Sequence, residues 1–261
     1  MGFFRIPPPR SAPASPPRWS PLLRGLPVYA GLAPLALILW SFLPARLLSN
    51  ELQPIKYSIR ILCYDPLIIY IVGFLSLEER KVLASIGQFQ RSMTTIDGVV
   101  STINPFRTSS TAFLPPNNTV VERITARASE FQGYSSRSKH EMLQLTRYET
   151  GQVFKPHVDP LVDDPRGPRN RFTTIFAIVE ATCTECGTQF PNLRFDWAQE
   201  HPSWCEYVYC DKETLTIKAI PGNAVLWKSW DSSGRLDLGT LHAGLPPEKG
   251  TKIGLNIWTD A

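Results

Sequence analysis

Three metal-ligating side chains stand out in this sequence. His157 and Asp159 are separated by one residue, and His242 follows much later in the chain. Side chains alternate between the two faces of a strand, so a strand here would place His157 and Asp159 on the same face. Two histidines and one carboxylate form the facial ligand set that holds Fe(II) and leaves the remaining coordination positions open. The pattern predicts an iron centre of the oxygenase kind.

The last predicted strand carries a further candidate group. Its residues alternate between an apolar set, Ile253, Leu255 and Ile257, and a mixed set, Lys252, Gly254, Asn256 and Trp258. The apolar set is typical of a core, whereas the mixed set suits a polar cavity in which Lys252 meets an anionic cosubstrate. The alternative is an edge-strand lysine that discourages pairing with other sheets. The two histidines favour the cavity.

The elements that must position these residues predict a mainly β protein with supporting helices. Capping boxes at residues 76–79 and 119–122 predict two helices. Strands are predicted at 67–72, 142–148, 172–179, 215–220, 224–227 and 252–258, with a turn at 221–223. We expect a folded region that begins near Asp65, in which the two helices brace a double-stranded β-helix, a jelly-roll-type barrel.

The first 50 residues differ in composition from the rest of the chain. They hold five arginines and no acid, whereas residues 51–261 hold 22 basic and 23 acidic residues. The near-neutral remainder argues against a nucleic-acid partner. Residues 25–45 carry no charge and are long enough to span a hydrocarbon core of roughly 30 Å. We expect a basic, proline-rich leader, residues 1–53, with a transmembrane segment at about 25–45, and a dioxygenase domain at 54–261.

The flanking residues predict where the folded part lies. Arginines before the apolar segment favour a cytosolic N-terminus and a translocated domain, while the alternative is a cleaved secretory signal. The triplet at 117–119 is an N-glycosylation acceptor. Five cysteines suit an oxidising compartment, although their spacing also leaves a structural zinc site open: Cys63, Cys183, Cys186, Cys205 and Cys210. We expect a single-pass protein of the endoplasmic reticulum membrane with a lumenal catalytic domain.

Five blocks, in the same order, resemble the prolyl 4-hydroxylases of the Fe(II)/2-oxoglutarate dioxygenase superfamily, and the likeness is nearest to a fungal, membrane-anchored branch. The early landmarks are GFLS with two glutamates at 73–79 and RTSS at 107–110. Residues 148–159 are similar to Y-x-x-G-x-x-[YF]-x-x-H-x-D, 187–191 to the end of G-G-x-T-x-F-P, and 221–227 to a P-x-x-G-x-A-x-x-[FW] strand. The terminal block places Lys252 ten residues after His242. Cys186 departs from the pattern, because the family commonly has a glycine there.

The resemblance implies a role for each polar residue of these blocks. His157, Asp159 and His242 are expected to be the catalytic iron ligands. Lys252 and Tyr148 are expected to hold the distal carboxylate of 2-oxoglutarate. For Tyr148 the alternative is an aromatic core position beneath the barrel.

The resemblance also implies cofactors and a substrate. Thr188 is expected beside the cosubstrate and Trp258 beside the peptide, although a core position is the alternative for Trp258. The implied cofactors are Fe(II), 2-oxoglutarate, O2 and L-ascorbate, and the substrate is a proline-containing segment in a polyproline II-like form. Oligomeric state stays open. Other interpretations are the same chemistry on another side chain or a small molecule, an inactive barrel used as a binding module, and a cysteine-based redox or zinc module.

Overall fold

The computed structural model describes residues 55–96, 99–101, 105–134, 139–161 and 170–261. These residues lie in one compact unit, Gln53–Ala261. The predicted leader and its transmembrane segment at 25–45 lie outside the described residues, and the division of the chain at residue 53 stays a prediction. Within the described ranges, no helix combines the length and the apolar character that crossing a membrane requires.

Helix α1, Leu77–Ile86, begins at the predicted capping box. The Ser76 hydroxyl accepts a hydrogen bond from the backbone N–H of Glu79, and the Glu79 carboxylate accepts one from the backbone N–H of Ser76. The prediction for this box is confirmed. Glu79 also forms a buried ion pair with Arg127 at 2.7 Å, which ties α1 to the second helix.

Helix α2, Thr119–Phe131, is confirmed as a helix, but its predicted cap is wrong. Asn118 is the cap, because its side-chain oxygen accepts from the backbone N–H groups of Val120 and Val121. Thr119 is already the first helical residue. Asparagine and threonine both favour caps, so two adjacent candidates made the choice ambiguous in the sequence.

The structure describes fourteen strands in the ranges given above. They are β1 (Ser58–Tyr64), β2 (Leu67–Val72), β3 (Gln90–Arg91), β4 (Thr94–Ile96), β5 (Val99–Ser101), β6 (Ser110–Phe113), β7 (Gln144–Tyr148), β8 (Phe154–His157), β9 (Thr173–Ala181), β10 (Thr188–Arg194), β11 (Thr214–Ile217), β12 (Ala224–Lys228), β13 (His242–Gly244) and β14 (Lys252–Thr259). The expected mainly β class with supporting helices is confirmed, and the six predicted strands correspond to β2, β7, β9, β11, β12 and β14.

Most strands belong to two antiparallel sheets. The major sheet has the order β1-β2-β12-β9-β14-β7-β6-β3, and the minor sheet has the order β11-β10-β13-β8. Strands β4 and β5 pair with each other. The chain passes from the major sheet to the minor sheet between β9 and β10, as a double-stranded β-helix requires. The helices, by contrast, precede β7 in the chain and pack together on the major sheet.

Two apolar clusters explain how these layers hold together. The first joins the helices to one face of the major sheet and includes Leu83, Ile124, Leu145, Ile175 and Leu255. The second lies between the sheets and includes Phe176, Phe190, Leu215, Val225 and Trp227. Strand β14 separates the two clusters, because its isoleucines and its leucine enter the first, so its alternate residues face the second. The predicted alternation of 252–258 is therefore confirmed.

Two local features differ from the sequence expectation. The folded region begins before Asp65, because β1 pairs with β2 along the edge of the major sheet. Ile59 and Ile61 of β1 are exposed, so the strand lacks the apolar-inside pattern that identifies strands. Strand β8 ends at His157, and Asp159 lies in the bend that follows it, so the assumption of one continuous strand through both ligands was wrong.

Gly254 offers a test of how tightly β14 packs. A Cβ atom at this position would lie 2.1 Å from the Phe176 ring, and Phe176 lines the candidate site described below. We expect Gly254→Ala to lower the free energy of unfolding by about 1–3 kcal/mol through overpacking and to weaken cosubstrate binding as the ring shifts. Urea denaturation measures the first effect and calorimetry the second.

Ile253→Val is the matched control, because it lies on the opposite face of the same strand. It should cost about 0.5–1.5 kcal/mol of stability without changing cosubstrate affinity. Equal affinity losses in both variants would contradict this account of Gly254.

Candidate active site

The two predicted histidine ligands are cross-strand neighbours in the minor sheet. His157 of β8 pairs with His242 of β13, and their ring centroids lie 4.3 Å apart. The Nδ1 atom of His157 lies 2.8 Å from the backbone oxygen of Lys155, and that of His242 lies 2.9 Å from the backbone oxygen of Thr240. A carbonyl oxygen only accepts, so each Nδ1 carries the proton. Each Nε2 is therefore left with a lone pair that can bind a metal.

Asp159 completes the cluster. The ligand atoms of His157, Asp159 and His242 all lie within 4.8 Å of one another, and the Asp159 Oδ2 atom lies 3.8 Å from the His242 Nε2 atom. Thr174 and Trp227 donate hydrogen bonds to Oδ2, at 2.7 and 3.1 Å. The structure thus brings the three sequence-predicted ligands together.

Electrostatics at the cluster favour the ligand form of His157 and of Asp159. Burial, followed by the nearby His242, lowers the pKa of His157 to about 3, so its imidazole is neutral at physiological pH. Burial by itself would raise the pKa of Asp159. The two imidazoles, Arg171 and the Thr174 hydroxyl outweigh that effect and lower it, so the carboxyl group is ionised. A neutral imidazole beside a carboxylate matches the protonation that metal binding needs.

The chemistry of this donor set fits Fe(II). Two imidazole nitrogens and one carboxylate oxygen are the facial ligands of non-haem iron oxygenases, and a cavity adjoins all three residues. Side chains from both sheets line that cavity: Arg107, Thr146, Tyr148, Phe154, His157, Asp159, Phe176, Thr188, Trp227, His242, Asn256 and Trp258, with Gly244. The Phe154 ring stacks on His157 with a centroid separation of 3.5 Å and closes one side of the site.

Lys252 is fully buried beside this cavity rather than in its lining. Its Nζ atom donates to the backbone oxygens of Cys186, at 2.5 Å, and Gly187, at 3.2 Å, and lies 4.8 Å from the centroid of the Tyr148 ring. Burial lowers its pKa to about 7. Among the described residues, no carboxylate lies within ion-pairing distance of it. A buried cation that lacks a counter-ion fits an anionic ligand such as the carboxylate of an oxoacid.

Tyr148 and Thr188 lie in the cavity wall near this lysine. Tyr148 is buried, and burial raises its pKa to about 12, so its hydroxyl stays protonated and can donate a hydrogen bond. Thr188 of β10 pairs with Gly244 of β13. A Cβ atom on Gly244 would lie 2.9 Å from the Tyr148 hydroxyl, so the close approach requires glycine here. The structure therefore brings both predicted cosubstrate residues to one wall.

Trp258, the predicted peptide residue, also has a structural role. It lines the cavity, its Nε1–H donates to the Asp159 Oδ1 atom at 3.1 Å, and the Arg171 guanidinium lies 3.8 Å from its ring. The core interpretation of this residue is therefore confirmed, and its contact with a peptide stays a prediction. Arg107 is a cavity residue without a predicted role, and its guanidinium lies 4.5 Å from the Phe154 ring.

Two partners of Asp159 escaped the sequence analysis. Trp227 ends the block at 221–227, and an indole at the end of a strand is the sequence feature that could have identified it. Thr174 had no signal, because a threonine inside an apolar strand reads as an ordinary β residue. Both residues are buried donors to the Asp159 carboxylate.

Comparison with known proteins gives the class of this fold and site. Residues 143–260 match the sequence model of the 2OG-Fe(II) oxygenase superfamily. That stretch contains all three members of the cluster as well as Lys252, Tyr148, Thr188 and Trp258. The protein is therefore an Fe(II)- and 2-oxoglutarate-dependent dioxygenase, which uses O2 as its second cosubstrate and for which ascorbate is the typical reductant.

Within this class the chain is similar to prolyl 4-hydroxylases. It is 29% identical over 206 residues to probable prolyl 4-hydroxylase 10 of Arabidopsis thaliana, covering 77% of this chain and 71% of the relative. Identity to prolyl 4-hydroxylase 5 of the same plant is 28%, with 77% and 70% covered. A viral collagen prolyl hydroxylase from Paramecium Bursaria Chlorella virus-1, solved with 2-oxoglutarate, superimposes with a TM-score of 0.52 at 25% identity, covering 73% of this chain and 94% of that one.

Lys252→Met provides a test of the buried cation through stability. The pKa of Lys252 is below its value in the unfolded chain, so the unfolded state binds more protons between about pH 7 and pH 10. Stability therefore rises with pH across that window, and the cost of burying the charge is full below it. We expect Lys252→Met to raise the free energy of unfolding by about 1–4 kcal/mol at pH 7 and by less at pH 10. Denaturant titration at both pH values measures the difference.

Lys249→Met is the control, because Lys249 is exposed in the loop just before β14. It should leave the pH dependence of stability as in the wild type. A Lys252→Met variant less stable than the wild type at pH 7 would contradict the account of this buried charge.

Proposed function

We propose that this protein hydroxylates peptidyl proline, with His157, Asp159 and His242 as the ligands of its iron. The convergence of these three side chains, with a backbone carbonyl oxygen beside the Nδ1 atom of each imidazole, is the observation that carries the proposal. The substrate class is supported by the relatives, whose names describe prolyl 4-hydroxylases.

The proposed roles follow from position. Fe(II) held by His157, Asp159 and His242 would supply the oxidative chemistry of the reaction, in which O2 and 2-oxoglutarate are consumed, an unactivated C–H bond is hydroxylated and the oxoacid is converted to succinate and CO2. Lys252 and Tyr148 bind the distal carboxylate of the oxoacid, the lysine by charge and the tyrosine as a neutral donor. Thr188 lies on the same wall of the cavity and orients the cosubstrate.

The rest of the cavity wall orients the reactants and keeps water out. Apolar and aromatic rings surround the ligands, so interactions inside the site are weakly screened. Phe154 and Trp258 present aromatic surface beside the ligands, which suits the flat, apolar ring of proline. A proline-rich segment in an extended polyproline II form loses little conformational entropy when it is held there.

The first test uses full-length protein with Fe(II), ascorbate and 2-oxoglutarate. We expect succinate release to rise when a proline-rich peptide is added, and the peptide to gain the mass of one oxygen at a proline. His157→Ala or His242→Ala should lower peptide-dependent turnover by more than about 100-fold, because each removes a ligand. Equilibrium dialysis against Fe(II) in the absence of O2 measures iron affinity directly. Each of the two variants should bind iron more weakly than the wild type does.

His201→Ala is the matched control, since His201 is an exposed histidine that caps a 3-10 helix, Pro202–Glu206. It should bind iron and turn over as the wild type does. Full peptide-dependent turnover by His157→Ala would overturn the ligand assignment. Succinate release that ignores every proline peptide, but responds to another compound, would favour the same chemistry on a different substrate.

We further propose that the catalytic domain lies in the lumen of the endoplasmic reticulum, anchored by residues 25–45 as in a fungal, membrane-anchored branch. The cysteines support an oxidising compartment, because Cys183 is bonded to Cys186 and Cys205 to Cys210, with Cys63 as a free thiol. This pairing also removes the zinc alternative for those four cysteines.

Asn117 provides the test of this location. It is exposed in the turn before α2, next to the cap residue Asn118. We expect the expressed full-length protein to carry a glycan at Asn117 that endoglycosidase H removes, with a matching change in gel mobility. Asn117→Gln should abolish the shift, whereas Asn118→Gln, which keeps the acceptor triplet, should retain it. A wild type that carries no glycan, and in which Cys183, Cys186, Cys205 and Cys210 all react as free thiols, would contradict the lumenal location.

A further inference from the structure

The connection between β9 and β10 is closed by a disulfide bond between Cys183 and Cys186. This connection carries the chain from the major sheet to the minor sheet. Cys186 is buried, whereas Thr184 and Glu185 are exposed. The tip of the loop therefore faces solvent, and its C-terminal end lies in the protein interior. Glu185 has a φ of 55°, a left-handed conformation that is unfavourable for a side chain of this type. A covalent bond across the loop helps to hold that conformation.

The inner end of this loop contacts Lys252. Within the part of the chain that the structure describes, both hydrogen bonds that the Lys252 ammonium group donates end on backbone oxygens of this loop, those of Cys186 and Gly187. Gly187 lies close against β11, because an added Cβ atom would lie 2.6 Å from the backbone oxygen of Ile217. Cys186 is the residue whose position the disulfide determines directly.

An ammonium group has three N–H donors. Two are used by the loop oxygens, so the direction of the third is fixed by where those oxygens lie. The Nζ atom lies 4.8 Å from the centroid of the Tyr148 ring, and Tyr148 lines the cavity. The loop therefore controls which way the free donor of Lys252 points.

We infer that the Cys183–Cys186 disulfide positions Lys252 for the distal carboxylate of 2-oxoglutarate, so cosubstrate affinity depends on this bond. The inference rests on the role proposed above for Lys252. Cys183 and Cys186 are positioning residues here, because neither touches the cosubstrate. The residue that interrupts the double glycine typical of the family thus has a specific task in this chain.

Opening the bond requires an external dithiol such as dithiothreitol. Its thiolate attacks the Cys183 sulfur, which is the more accessible of the two, and Cys186 leaves as a thiolate that takes up a proton. The second thiol of the reagent then displaces Cys183, so the reagent is oxidised to its cyclic disulfide and the protein gains two thiols. No other oxidant or reductant is needed.

The test compares two double variants of the full-length protein, Cys183→Ser/Cys186→Ser and Cys205→Ser/Cys210→Ser. The second is a matched control, because Cys205–Cys210 closes a neighbouring loop with the same chemistry. That neighbouring loop also packs against the first one, through Tyr209 beside Gly187, but neither of its cysteines contacts Lys252. Succinate release at saturating peptide gives kcat and the KM for 2-oxoglutarate, and calorimetry on Mn(II)-loaded protein under argon gives its Kd.

For the Cys183/Cys186 variant we expect KM and Kd for 2-oxoglutarate to rise roughly tenfold, the equivalent of one misplaced charge-assisted hydrogen bond, with kcat within about twofold of the wild type. The control should keep the wild-type KM. An unchanged KM in the first variant, a tighter Kd, or equal increases in both variants would overturn the inference.

Two further outcomes can be told apart experimentally: a variant that does not fold, and a wild type that does not bind 2-oxoglutarate. If the Cys183/Cys186 variant does not fold, wild-type protein is titrated with dithiothreitol and the reduced fraction of each pair is measured by alkylation and mass spectrometry. The Kd should then follow reduction of Cys183–Cys186 and not that of Cys205–Cys210, and the reverse result counts against the inference. A wild type that binds no 2-oxoglutarate overturns the proposed function together with the inference, whereas normal wild-type binding with an unaffected variant overturns the inference alone.

Discussion

A buried carboxylate anion is the constraint on which this site depends. Asp159 is ionised and almost fully buried, a state that costs several kcal/mol unless donors replace the lost water. Thr174, Trp227 and Trp258 supply those donors, and each comes from a different strand of the major sheet. The position of one carboxylate is therefore set by three strands at once. A ligand held in this way loses little freedom when it binds a metal, which is the advantage of a preorganised site.

The two sheets contribute different things to the site. The minor sheet supplies both imidazoles as neighbours across β8 and β13, and backbone oxygens fix their protons. The major sheet supplies the donors to Asp159 and the lysine at the start of β14. Because one face of β14 packs on the helices, a shift of this strand by one residue would move Lys252 and Trp258 out of the site. The apolar core therefore determines the register that the chemistry requires.

The sequence predicted those parts of the arrangement that depend on local chemistry or on the periodic spacing of apolar residues. Ser76 and Glu79 predicted the start of α1, and the alternation at 252–258 predicted both faces of β14. The ligand residues were identified because few types of side chain bind iron well. Strand β13 was missed, and β8 was expected to continue through Asp159, since three or four residues are too few to show a period. Thr174 was missed because its partner lies fifteen residues away and no local pattern records such a hydrogen bond. What escaped was therefore a set of strands without a clear period, together with the tertiary contacts between distant residues.

Lys252 shows why stability and function pull in opposite directions here. A cation without a counter-ion in a dry interior destabilises the fold, and natural proteins keep such groups where a ligand makes use of them. Two carbonyl oxygens satisfy part of its hydrogen-bonding capacity without neutralising its charge, so the attraction for an incoming carboxylate is kept. A carboxylate from the protein in the same place would have stabilised the fold and blocked the cosubstrate. The absence of such a partner among the described residues supports the cosubstrate role proposed for Lys252. The inference that the Cys183–Cys186 loop matters for affinity more than for folding rests on that proposed role.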